Sequence, residues 1–327
     1  MTAYPAILCS GLFLSALLYA LRLEGPAPRR AGQAALTVVL MAVMGFLCAK
    51  AFYVLALARA QFARHGIAAF VRLNMEEFSV FGGGMGVVLA VALTARWFRV
   101  PAGRALDAFA PGGALLLMVV RAAEYFIGNR FLGYGLIGMG TDLSDGSVLC
   151  FFPMAVQDGW GTWFFAVFAL ETVVALIALL LSFTAYRRYP FLRTVFFVMA
   201  LQIFCESLHS QSLRWGFVRV EQVFCAIGVL AVVALHCAAW RKKVGASLWA
   251  AYGWCLMVLL LIGVDVGVEF ALDKPALVLS LLGISTEGGF PSESVTAGVS
   301  YGVMLLSIAG MLAVEHVVVK RRAKAGA

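Results

Sequence analysis

The chain has 327 residues, 63% of them hydrophobic and only 13% charged, with a formal net charge of +8 and a mean hydropathy of +0.94. A soluble domain of this size needs far more charge on its surface, so the composition specifies a polytopic membrane protein and excludes a water-soluble enzyme. The basic excess gathers at the ends of apolar runs, which suits an anionic lipid surface and argues against a nucleic-acid partner.

A membrane-crossing helix needs about 20 mostly apolar residues. The first such run, 4–22, is led by Tyr4 and Pro5 and lacks a basic n-region and a small-residue cleavage site, so it reads as a retained span. The second, 33–58, holds Lys50 and Tyr53 one turn apart. Between it and the third, the segment Gln61 to Val71 alternates basic and apolar residues. It reads as an amphipathic helix on the outer leaflet or as a solvated connector. The third span, 80–96, follows the acidic pair Glu76 and Glu77 and opens with Gly82, Gly83 and Gly84. Backbone without a Cβ there admits close approach by a ligand or by a neighbouring helix.

The fourth span, 106–127, carries Arg121 and Glu124 at i and i+3, on one helical face. A charge at mid-bilayer costs roughly 2.5–3.5 kcal/mol on insertion scales, so such residues face protein or a wet cavity. A glycine-rich outer loop follows, with Asn129 and Arg130 in it. Glu171 lies midway along the fifth span, 160–183. In the sixth, 192–209, Gln202, Glu206 and His209 recur at i, i+4 and i+7 on one face. The seventh, 221–240, opens with Glu221 and Gln222. The eighth, 247–269, holds Asp265 and Glu269 near its outer end, where water is expected to reach them. The ninth is 297–319.

The fold class expected is therefore an all-α transmembrane bundle of about nine spans. Basic residues follow the first, third, fifth, seventh and ninth spans, at Arg29, Arg30, Arg96, Arg99, Arg187, Arg188, Arg241, Lys242, Arg321 and Arg322 among others. By the positive-inside rule those ends are cytoplasmic, which puts the N-terminus outside and the C-terminus inside. Six of the seven cysteines fall within spans, and no CxxC spacing supports a disulfide framework or a zinc site. P-loop, dinucleotide, HExxH and GxSxG patterns are absent, which leaves no motif for nucleotide or metal chemistry.

Lys50, Arg121, Glu124, Glu171, Gln202, Glu206 and His209 form a larger intramembrane polar set than interhelical salt bridges require, and a polar cavity is the expectation. Arg121 and Arg130 have the planar fork that grips a phosphate bidentately.

Several stretches then fall into a known order. Ala49-Lys50-Ala51-Phe52-Tyr53 resembles a Gly-Arg-x-x-Tyr element. Glu77-Phe78-Ser79-Val80-Phe81-Gly82-Gly83 resembles a Glu…His-Gly-Gly stretch with Phe81 at the histidine. Asp107-Ala108-Phe109-Ala110-Pro111 resembles Asp-x-x-Ala-Pro, and Arg121 is the arginine of the signature helix that follows, with Glu124 and Asn129 in exchanged positions. Gln202, Glu206 and His209 occupy the places of an arginine, an acid and a second arginine. In this order the chain resembles the bacterial prolipoprotein diacylglyceryl transferases over about residues 35–240.

The resemblance implies a transferase-like seven-span domain, 1–240, with a two-span addition at 241–327. It implies an enzyme of the bacterial inner membrane that moves a diacylglyceryl group from phosphatidylglycerol to the lipobox cysteine of a preprolipoprotein, with no metal or soluble cofactor. Under it Arg121, Glu124, Glu206 and His209 are the expected catalytic residues. Lys50, Tyr53, Gly82, Gly83, Asn129, Arg130, Glu171 and Gln202 are the expected substrate contacts. The alternative is a noncatalytic lipid-binding or transport protein on the same scaffold.

Overall fold

Lipid offers the backbone no hydrogen-bond partner, so each apolar run must satisfy its own N–H and C=O groups as helix. The computed structural model describes residues 3–57, 59–71, 78–126, 139–143, 146–158, 160–210, 214–215, 218–274 and 293–325. Among them are nine helices long and apolar enough to cross a membrane. They are α1 (Ala3–Arg22), α2 (Ala27–Phe52), α5 (Val80–Trp97), α6 (Ala102–Ala123), α7 (Val167–Thr184), α8 (Pro190–Leu208), α9 (Val220–Val244), α10 (Leu248–Asp273) and α11 (Glu293–Lys324). The fold is thus an all-α polytopic bundle, as composition required. The segment after α2, expected as an amphipathic helix or a solvated connector, is two short helices, α3 (Arg59–His65) and α4 (Ala68–Val71), separated at Gly66, whose φ of 54° ends the first.

By its internal contacts the chain divides into two compact units, residues 1–194 with 209–211, and residues 195–208 with 212–327. In the first unit α2 packs along α5, and α1 and α7 pack on α6. Small residues make these approaches possible. A Cβ on Gly82 would stand 2.6 Å from the Cys48 carbonyl oxygen of α2, and one on Gly112 would stand 2.6 Å from the Ser15 carbonyl oxygen of α1. Tyr19 meets Phe109 edge to face at 5.6 Å and accepts a 2.8 Å hydrogen bond from Gln33, which fixes α1 between α2 and α6. Asp107, the acid of the Asp-x-x-Ala-Pro stretch, accepts the Phe191 backbone N–H at 3.2 Å. It satisfies one of the orphan donors in the first turn of α8.

The connection from α6 to α7 holds a feature that hydropathy did not announce. Strands β1 (Met139–Leu143), β2 (Ala155–Gln157) and β3 (Trp163–Ala166) form an antiparallel sheet in the order β1-β3-β2. The span expected from residue 160 accordingly starts at Val167. The aromatic run Trp163-Phe164-Phe165 pairs laterally instead of coiling, as bulky aromatic residues favour on a pleated surface.

In the second unit α9, α10 and α11 pack together. Gly245, at φ 68°, closes α9 in the left-handed conformation, and the Ser247 side chain caps α10 by accepting the Ala250 N–H at 3.3 Å. The Ser307 hydroxyl of α11 donates to the Leu261 carbonyl of α10 at 2.9 Å. A short antiparallel pair, β4 (Arg214–Trp215) and β5 (Val218–Arg219), precedes α9. Asp265 and Glu269, expected within reach of water, are buried at 3% and 5% exposure. Packing explains the difference: Gln222 of α9 donates to Glu269 at 2.7 Å, and the Arg219 guanidinium lies 3.9 Å from the same carboxylate.

Candidate active site

Arg121 sits in the last turn of α6, followed at once by a 3-10 turn, Glu124–Phe126. The spacing brings Arg121 Nη1 to 2.7 Å from Glu124 Oε1. Its Nη2 lies 3.1 Å from Glu171 Oε1, which is supplied by α7. The same Glu171 oxygen is 3.3 Å from His209 Nε2. One carboxylate oxygen therefore joins a guanidinium to an imidazole. Arg121 is 8% exposed, and Glu124 and Glu171 are 3% exposed each, so all three act on one another with little water between.

His209 reaches this position because α8 ends at Leu208 and the chain turns. Ser210 is then tied to β1, its N–H and its hydroxyl both donating to the Met139 carbonyl at 3.1 and 3.2 Å. Since β1 pairs with β3, and β3 runs directly into α7, the sheet sets His209 and Glu171 in register. Tyr125 closes the apolar side, its ring meeting Phe152 at 5.5 Å and Phe168 at 6.1 Å. Tyr4, at the start of α1, lies within electrostatic reach of Glu124 and Arg121. Phe152, Phe168 and Tyr4 carry no sequence signal for the site: apolar or near a chain end, they are brought to it by packing.

Of the expected residues, the first unit thus joins Arg121, Glu124, Glu171 and His209. Lys50 and Tyr53 also come together, at the end of α2 and the start of the π-helical turn Tyr53–Leu57, with the buried Lys50 ammonium 6.0 Å from the Tyr53 ring centre and 5.3 Å from that of Phe78. Such cation–π contacts shelter a charge that lipid would otherwise penalise. Gly82 faces Phe52 and the Cys48 carbonyl, and Gly83 lies against Ala49, so both serve the α2–α5 approach. Ser79 caps α5 there, accepting the Gly82 N–H at 3.3 Å. Gln202 and Glu206 belong to the part of α8 in the second unit, where Glu206 is buried and Gln202 half-buried. Glu77, Asn129 and Arg130 lie outside the described residues.

The arrangement gives a buried cation, a carboxylate that can orient an imidazole, and an apolar aromatic wall, all at the end of α6. Among the described residues no group of His, Cys, Asp and Glu is placed to hold a metal ion. The family model of prolipoprotein diacylglyceryl transferase matches residues 1–238 of this chain. No curated protein matches it.

Proposed function

The chain belongs to the prolipoprotein diacylglyceryl transferase family, and from that premise we propose that it moves a diacylglyceryl group from phosphatidylglycerol to the lipobox cysteine thiol of a preprolipoprotein in a bacterial inner membrane. The observation that carries this reading is the Arg121–Glu171–His209 relay, in which Glu171 Oε1 is 3.1 Å from the guanidinium and 3.3 Å from the imidazole. Arg121 receives the phosphate diester, with Lys50 and Arg130 supplying further positive charge and Asn129 and Tyr53 polar contacts. Glu124 holds the guanidinium plane.

Glu171 engages Nε2 of His209, which assigns proton acceptance to Nδ1. The acceptor thiol, of ordinary pKa about 8.5, gives its proton to that nitrogen. The thiolate attacks the glyceryl carbon that carries the phosphate ester. A C–S bond forms, the C–O bond breaks, and its electron pair leaves on glycerol phosphate. The imidazolium formed on His209 lies against Glu171, and the departing phosphate gains its charge beside the Arg121 guanidinium, so each developing charge meets an opposite one.

The exchanges at Phe81 and Gln202, where the family's pattern has a histidine and an arginine, favour a second reading, a noncatalytic lipid-binding protein on the same scaffold. The two separate in one experiment. The purified full chain is incubated in phosphatidylglycerol-containing membranes with a lipobox peptide, and glycerol phosphate release and peptide mass are followed together. The transferase reading expects both to appear, both to vanish in Arg121→Ala, and kcat in His209→Asn to fall about 10²- to 10⁴-fold. No release from a folded, lipid-binding protein transfers the weight to the second reading.

A further inference from the structure

The two C-terminal spans lie beyond the residues matched by the family model, and their basic end has a built character of its own. Helices α9 and α11 finish side by side in the second unit: Arg322 Nη1 of α11 is 2.9 Å from His236 Nδ1 of α9. Next to it the Arg321 guanidinium lies 5.6 Å from the Trp240 ring of α9 and 4.9 Å from the Trp254 ring of α10. Three helices thus converge on two consecutive arginines.

Around them stand Arg241, Lys242, Lys243, Lys320 and Lys324, all exposed. The sequence has no acid from Trp240 to Tyr252 or from His316 to Ala325, and the preceding acid, Glu315, is buried. Trp249, Leu248 and Val244 are exposed beside this cluster, at the α9–α10 turn. Basic residues at a helix C-terminus offset its dipole, but that role needs one or two per helix. It does not call for indoles interleaved with them. Indole rings prefer the depth of lipid headgroups, and a cluster of cations at that depth attracts anionic lipid.

We propose that this end of the second unit is a binding site for an anionic phospholipid. Its phosphate is held by Arg321 with Lys320 and the α9 cations, and its upper acyl and glycerol groups lie against Trp249, Leu248 and Val244. The site uses none of the residues assigned to the transfer reaction. Its occupant is a lipid and not a soluble phosphate, because the cations are bordered by exposed apolar side chains that a free ion would leave in water.

The full chain, reconstituted in phosphatidylcholine vesicles, tests this with a trace of phosphatidylglycerol bearing a photoactivatable group near its headgroup. After irradiation the adducts are mapped by peptide mass, and phosphatidylcholine carrying the same group serves as the reference. Adducts within 241–256 and 316–325 are expected from the anionic probe at on the order of tenfold the yield of the neutral one. They are expected to fall to the neutral level in the combined variant Arg241→Gln, Lys242→Gln, Lys320→Gln, Arg321→Gln. Equal labelling of these segments by the two probes in the unmodified protein overturns the proposal, whether or not the variant folds. So does displacement of the anionic adduct by soluble inorganic phosphate, and so does an unchanged preference in a folded variant.

Discussion

Deleting the Arg121 guanidinium removes the partner that two buried carboxylates share. Glu124 and Glu171 are both 3% exposed and lie 2.7 and 3.1 Å from its nitrogens. Removing one member of a buried ion pair typically costs roughly 3–5 kcal/mol, because the charge left behind stays desolvated. A protonated His209, beside Glu171 and within electrostatic reach of Glu124, offsets part of this. Arg121→Ala is therefore expected to destabilise the first unit by about 4 kcal/mol. If the cost comes from stranded charge and not from lost packing, neutralising both carboxylates must relieve it. The triple variant Arg121→Ala, Glu124→Gln, Glu171→Gln is expected to recover about 2 kcal/mol relative to Arg121→Ala. The measurement is the unfolding free energy in mixed micelles or bicelles, for the arginine variant, the two glutamine variants together, and the triple variant. A coupling energy above about 1 kcal/mol supports the charge cluster as described; effects that add to within about 0.5 kcal/mol refute it.

Two further outcomes follow from packing. Gly82→Ala places a methyl group 2.6 Å from the Cys48 carbonyl oxygen, against backbone that cannot step aside; thermal unfolding in detergent should show a loss of roughly 1–3 kcal/mol, whereas a silent substitution would mean α2 and α5 are not in this contact. Asp107→Ala removes the acceptor of the Phe191 N–H at the start of α8; a loss of about 1 kcal/mol is expected, with faster amide exchange confined to the first turn of α8, and unaltered exchange there would count against the cap.

How much of this was readable beforehand differs from one residue to the next. The nine spans were, because lipid makes the hydrogen-bonding demand local: any sufficiently long apolar run must be helix, whatever surrounds it. The Arg121–Glu124 pair was readable for the same kind of reason, since three residues along a helix fix the geometry without reference to other elements. The break at Gly66 was not read: Gln61 to Val71 was expected as one amphipathic helix or a connector, and the structure divides it there.

The meeting of Glu171 and His209 with Arg121 was not readable, although each had been singled out. It depends on where α7 begins and on how the chain turns after Leu208, and both are set by a three-stranded sheet whose strands are three to five residues long. Strands so short leave no periodicity to detect, and their aromatic residues read as the start of a span. Likewise Gly82 and Gly83 spell a permissive backbone in the sequence, and only the proximity of Cys48 and Ala49 assigns that permissiveness to helix packing. Asp265 and Glu269 make the same point from the other side: distance along a helix suggested water, but the Gln222 and Arg219 side chains of a neighbouring segment cover Glu269. Sequence by itself determined which segments cross the membrane and which ionisable groups must find shelter there, because those follow from transfer free energies of single residues. Tertiary structure alone decided which groups on different segments shelter one another, because that is a property of contacts between parts of the chain far apart in sequence.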